Sequence, residues 1–133
     1  MTIIDSGDEP FQATNIGLAA KAVVAILQRS AETANQYLSI ASFNTTQNET
    51  LSILESQTGG DKWTVKHVSS ADLQHEGDKK RDAGTWHVLE YLKLFVFADG
   101  CGHALKDEQS SNAILGLEKE DVRETLEMIL QRS

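Results

Sequence analysis

His87-Val88-Leu89-Glu90 sets an imidazole and a carboxylate three residues apart. On a helix that spacing is one turn, close enough for the pair to share a proton or a ligand. Asp99 and His103 bracket a second stretch, Gly100-Cys101-Gly102. A loop of this kind on a rigid scaffold can converge its acid and imidazole on a small molecule, although Asp before Gly is also an ordinary turn former. Trp86, Tyr91, Phe95 and Phe97 lie among these residues, and such a set lines an apolar pocket or packs a core. The candidates for proton transfer are therefore His87, Glu90, Asp99 and His103, with Trp86, Tyr91 and Phe95 as the residues that would face a substrate. The plainer reading of His87 and Glu90 is the solvated edge of a helix.

Other chemistries have less support. Cys101 is the only cysteine, which leaves no internal disulfide and no thiolate-rich zinc site. As a nucleophile it needs a base, and His103, two positions along a turn, does not aim at it. The remaining histidines, His67 and His75, supply no second ligand pair, so no metal is expected. Gly100-Cys101-Gly102-His103-Ala104-Leu105 opens like a dinucleotide fingerprint but lacks its third glycine. The polar segment Lys106 to Asn112 that follows cannot pack on a nucleotide-binding sheet. No Gly-Lys-Ser phosphate loop occurs, and no cofactor is expected within the chain.

These residues need a scaffold, and 133 residues with 40% apolar content fit one domain. A net charge of −8 repels phosphate backbones and anionic membranes, so neither nucleic acid nor membrane is an expected partner. The start, Met1-Thr-Ile-Ile-Asp5, has neither a basic leader nor a long apolar run, which points to a cytoplasmic protein. Two matches to the glycosylation pattern, at Asn44 and Asn48, then have no secretory route to act on.

The hydrophobic pattern gives a mixed α/β fold: a small sheet with a parallel strand-helix-strand crossover and several packed helices. Ile16, Ala20, Val23 and Leu27 recur at helical spacing, which predicts a helix from Thr14 to Arg29. Tyr37 to Ser42 alternates and has strand length. Thr46 with Glu49 is a capping box that starts a second helix, and Gly59-Gly60 stops it. Trp63, Val65 and His67 share one face of a second strand. Residues 69–84 are highly charged and read as an exposed helix or mobile lid. Trp86, Leu89, Leu92 and Val96 predict a buried helix, and Val122, Leu126 and Ile129 a last amphipathic one, on which Arg123 can pair with Glu127.

Taken in order, "FQATNIGLAAKAVVAIL", "AETANQYLSIASFNTTQNETLSILESQTG", "KWTVKHVSS", "FADGCG" and "LGLEKEDVRETLEMIL" resemble the C-terminal half of NmrA-like, isoflavone-reductase-like proteins. These are atypical short-chain dehydrogenase relatives common in fungi, and the resemblance runs over nearly the whole chain. It implies a Rossmann-like fold without its N-terminal nucleotide-binding half, acting as a substrate-binding and sheet-completing portion. The glycine-rich turn, the ribose-selecting residue and the active-site lysine or tyrosine belong to the other half, so none of those roles falls on a residue here. The family's usual Asp-Ile-Gly reads Asn15-Ile16-Gly17.

Three functions fit. The first is a substrate- or partner-binding homologue of an NAD(P)-dependent oxidoreductase, without a nicotinamide site of its own. The second is a cofactor-independent isomerase, cyclase or dehydratase that acts on an apolar small molecule in fungal secondary metabolism through His87, Glu90, Asp99 or His103. The third is a fragment of a full NADP-dependent reductase. A half-fold leaves apolar helix surface and an unpaired strand edge uncovered, so a homodimer or a docked partner is expected.

Overall fold

The structure is a computed structural model that describes residues 1–132. It is a mixed α/β fold, and by internal contacts the chain divides into two compact units, each discontinuous in sequence.

The first unit comprises Met1–Phe11 and Thr46–His103. Its centre is a parallel pair, β1 (Thr2–Ile4) with β4 (Lys66–Val68), in the register Thr2 to Lys66, Ile3 to His67 and Ile4 to Val68. Ile3 and Ile4 are buried. Parallel strands need a long connection, and α3 (Gln47–Gln57) is the part of it that this unit contains. A parallel pair is present as the sequence implies, but its first strand is β1 and not the segment 37–42 expected there; Phe43–Thr45, the strand just before α3, belongs to another pair. The free edge of β1 is not bare. Gln47 accepts from the Ile4 amide through Oε1 at 2.9 Å and donates from Nε2 to the Thr2 carbonyl at 3.0 Å, as a neighbouring strand would. Gly7 follows β1 with φ +75°, and its amide donates to the Ile4 carbonyl to close the turn.

The start of α3 is as the sequence predicts, with Thr46 Oγ1 accepting from the Glu49 amide at 3.1 Å. Residues 69–84 form a helix, α4 (Ser70–Asp82). Ser69 caps it through the Asp72 amide, and Lys79, Lys80 and Arg81 in its last turn suit the negative end of the helix dipole. It packs on α5 (Val88–Phe97), and the close approach depends on buried Gly77, where a Cβ would lie 3.2 Å from the Tyr91 ring.

The expected helix at Trp86–Val96 is real, but the expectation of burial is corrected. Leu89, Leu92 and Phe95 are 47%, 53% and 60% exposed, and Trp86 is 76% exposed. The α4 side of α5 is covered, with Glu90 and Tyr91 placed there, and Phe97 near its end packs on Phe11. Periodicity finds an apolar face; it cannot say whether anything covers it.

The second unit comprises Gln12–Thr45 and the described residues from Ala104 on. It holds α1 (Ile16–Gln28), the short α2 (Ser30–Thr33), a 3-10 turn (Asp107–Gln109), the short α6 (Asn112–Leu115) and α7 (Val122–Leu130). Strands β2 (Phe11–Ala13) and β3 (Phe43–Thr45) pair with each other. The strand expected at Tyr37–Ser42 therefore lies later in the chain. Residues 36–42 are irregular: their backbone groups bond partly to side chains and partly to scattered backbone groups, Ser39 to Ser111 and Ser42 to Ala13 and Glu120, rather than to a ladder. Asn112 accepts from the Ala41 amide and donates to its carbonyl, while Ser111 Oγ accepts from the Ser39 amide. Leu18 and Ala22 bury one side of α1, and Ile16, Val23, Val24 and Leu27 are exposed on the other. No helix among the described residues is long and apolar enough to cross a membrane.

Gly7→Ala would force a left-handed backbone on an L residue and place Cβ 2.5 Å from Ile3 Cγ2. We expect a loss of about 2 kcal/mol or more in urea unfolding. A loss below about 0.5 kcal/mol would contradict this turn geometry.

Candidate functional site

All seven residues that the sequence marks for chemistry fall in the first unit, spread along and beyond α5. Trp86 and His87 precede its first turn, and Glu90 and Tyr91 follow within the helix. Phe95 is near its end, with Asp99 and His103 in the loop beyond. Ten helical residues span about 15 Å, so the four proton-transfer candidates form two groups rather than one.

At the first group, Glu90 points at α4 and is 8% exposed. Its Oε1 accepts from Lys80 Nζ at 2.6 Å, while Oε2 is buried without a hydrogen-bond partner. The bond from Lys80 holds the Glu90 carboxyl below the usual range against the opposing effect of burial, and Glu90 raises Lys80 in return. A carboxylate held this way is a poor proton acceptor near neutral pH. Tyr91 donates its hydroxyl to Asp78 Oδ1 at 2.6 Å and accepts from Arg81 at 3.2 Å. The bond to Asp78 pushes the phenol up.

The His87 ring meets the Tyr91 ring edge-on, with centroids 5.8 Å apart. Its Nδ1 lies 2.8 Å from the Thr85 carbonyl oxygen, a contact that places the proton on Nδ1. His87 and Glu90, one turn apart, thus hold different partners. Trp86 belongs to neither group.

The second group depends on Glu9, which no spacing in the sequence singles out because its partners lie about ninety residues away. Its carboxylate accepts from the amides of Gly100 at 2.8 Å and Gly102 at 2.5 Å. Both glycines have positive φ, which turns these two alternate amides toward one anion, while the Cys101 amide between them donates to the Ala98 carbonyl. Those amides, first Gly102 and then Gly100, lower the Glu9 carboxyl, with the charge of His103 adding to them. Asp99 accepts from Ser6 Oγ at 2.6 Å. His103 stacks on Phe95 with centroids 3.9 Å apart and forms a parallel bridge with Phe11. Cys101 turns its thiol toward the Leu94 carbonyl at 3.4 Å.

The structure therefore brings together His87 with Tyr91, and Phe95 with His103, and holds the two pairs apart. Among the described residues no group of three or more His, Cys, Asp or Glu side chains is placed to hold a metal.

Three hollows lie in the second unit. Two adjoining ones, of about 550 and 470 Å³, run along α1. A third, of about 350 Å³, lies between the start of α1 and α7 and is walled by Ile16, Met128 and Ile129. At its base is a polar hub that the sequence does not reveal. Glu120 Oε2 accepts from Ser42 Oγ at 2.6 Å and from Asn15 Nδ2 at 2.8 Å, and Asn15 Nδ2 also reaches Thr125 Oγ1 at 2.8 Å. Ser42, fully buried, lowers the Glu120 carboxyl most, and Asn15 adds to the effect. This geometry accounts for the amide at position 15. A carboxylate in its place could not donate to Glu120 and would set two negative charges at hydrogen-bond distance.

No known family profile matches the chain, and no solved structure matches it. It is 36% identical over 134 aligned residues to "Oxidoreductase poxI" of Penicillium oxalicum, and equally to the protein of that name from strain 114-2 of the same fungus. The alignment covers 97% of this chain and 42% of the relative.

Two predictions follow from the two polar clusters. Glu90 should titrate below the usual carboxylate range when followed by NMR, and Lys80→Met should raise its midpoint. Because the folded value is depressed, the stabilising effect of the pair is present above the unfolded value and is lost as pH falls through the folded one. Equal midpoints in the two proteins would contradict the ion pair. Asn15→Asp should lower unfolding stability by about 1–3 kcal/mol at pH 7, and by less at pH 4, where the added carboxylate is partly protonated. An equal loss at both pH values would contradict charge repulsion as the cause.

The chain is thus a relative of a fungal protein named as an oxidoreductase, and it spans about two-fifths of that relative's length.

Proposed function

We propose that the chain is the substrate- or partner-binding portion of an NmrA-like, NAD(P)-dependent oxidoreductase homologue, without a nicotinamide site of its own. The observation that carries this reading is the orientation of α5. This helix buries Glu90 against α4 and turns Val88, Leu89, Leu92 and Phe95 outward, the reverse of a helix built to face water. An apolar stripe of this kind is the surface a portion of an enzyme shows where another portion, a partner chain or an apolar substrate lies against it. The relative named as an oxidoreductase has more than half its length outside the match, which supplies a body of the right size to cover such a surface. The Gly100-Cys101-Gly102 loop also supports the absence of a nucleotide site, because the two amides that would greet a phosphate are taken by Glu9.

Titration of the purified chain with NADPH and NADH, followed by nicotinamide fluorescence, tests the reading together with binding of an apolar dye. The expected result is no nucleotide binding below about 1 mM and dye binding that falls severalfold in a Leu92→Asp, Phe95→Asp variant of unchanged circular dichroism. Micromolar nucleotide binding, or dye binding indifferent to those two substitutions, would contradict it.

A further inference from the structure

The two adjoining hollows along α1 share Lys21, Gly116 and Leu117, so they form one groove between α1 and the segment 116–124. Buried Leu18 and Leu115 lie beneath it and offer almost no surface; the apolar lining that a partner could touch is Ala20, Val24, Ala25 and Leu117. Beyond the floor the exposed surface of α1 stays apolar, through Ile16 at 89% exposure and Leu27 at 73%. A helix with apolar residues on both sides normally lies inside a structure, and here one side is left open.

The opposite lip of the groove is acidic. Glu120 is fixed there by Ser42 and Asn15, and Asp121 by the amides of Arg123 and Glu124 at the start of α7. Glu118 and Glu124 complete the lip, and both side chains are exposed. Two cations line the groove. Lys119 is bound to Asp107 at 2.5 Å, which leaves Lys21 against four carboxylates. The groove thus offers an apolar floor with a net negative rim.

We propose that this groove docks a basic amphipathic helix of another polypeptide, its apolar stripe on Ala20, Val24 and Leu117 and its lysines or arginines along Glu118 and Glu124. Helix-in-groove recognition needs these two features together. The length of α1, 13 residues or about 20 Å, matches an occupant of three to four turns. Charge decides between occupants. A second copy brings a net charge of −8 to an acidic lip, and in the most basic stretch of this chain, Lys79-Lys80-Arg81, Lys80 and Arg81 are already committed to Glu90, Asp78 and Asp82. An anionic membrane would be repelled by the same lip. The inference rests on the groove alone and stands independently of the function proposed above.

The test uses a fluorescein-labelled peptide of roughly fourteen residues, with leucine at helical spacing and lysine elsewhere, and a second with glutamate in place of lysine. Binding to the full chain is followed by anisotropy. The lysine peptide should bind one to one, at least about tenfold more tightly than the glutamate peptide. Glu118→Lys with Glu124→Lys should weaken it by about tenfold or more, and Val24→Asp should do so independently. Asp61→Lys with Glu32→Lys, two exposed residues that do not line the groove and that change net charge equally, should leave affinity within about twofold. Equal loss in that control would show general attraction to an acidic protein and overturn the proposal. So would indifference to Val24→Asp, or sedimentation showing a dimer of the chain that Val24→Asp dissolves.

Discussion

Burial is the constraint on which this structure turns. Each unit has only about 65 residues, and a unit of that size hides roughly 60% of the surface its chain could expose. Two small interiors cannot take up every apolar side chain of two helices that are apolar on more than one face. The result is a core of small means, built around Ile3, Ile4 and Ile53 in one unit and Leu18, Ala22 and Leu115 in the other, while large apolar residues of α1 and α5 face outward. The same shortage explains why α5 uses its inner face for a lysine-glutamate pair. Where the interior is thin, a carboxylate with an ammonium at 2.6 Å can sit at a helix junction without full desolvation.

Side-chain amides do much of the work that extra strands or turns do in larger sheets. Gln47 completes the edge of β1, Asn112 holds both backbone groups of Ala41, and Asn15 joins Glu120 to Thr125. Each side chain makes two hydrogen bonds, which satisfies polar groups that would otherwise be buried unpaired. In the first unit, Glu9, Ser6 and Asp5 play a related part with carboxylates and a hydroxyl, tying the N-terminal segment to the loop after α5. The chemistry-bearing residues of that loop are therefore held by structure-forming bonds.

Local signals in the sequence were legible because their causes are local. The Thr46 cap, the Gly59-Gly60 stop and the extents of α1, α5 and α7 follow from capping, backbone freedom and helical spacing within a few residues. The misplaced strand at 37–42 failed for a nonlocal reason, since its hydrogen-bond partners, backbone and side-chain groups at Ala13, Ser111, Asn112 and Glu120, lie far away in sequence. The candidate site was legible only by residue type. His87 and Glu90 have the right spacing, but their actual partners, Thr85 and Lys80, depend on how α4 meets α5. Glu9, Ser42 and Glu120 carry no local mark at all. Whether an apolar stripe is covered depends on what else is present, and that is a property no periodicity contains.

On the proposals above, the outward faces of α1 and α5 are contact surfaces rather than surfaces meant for water. Native mass spectrometry of the protein purified from its own source decides this. A species heavier than 14.6 kDa is expected, either a longer polypeptide or this chain bound to a second one. A free monomer of 14.6 kDa, with no partner at micromolar concentration, would contradict it.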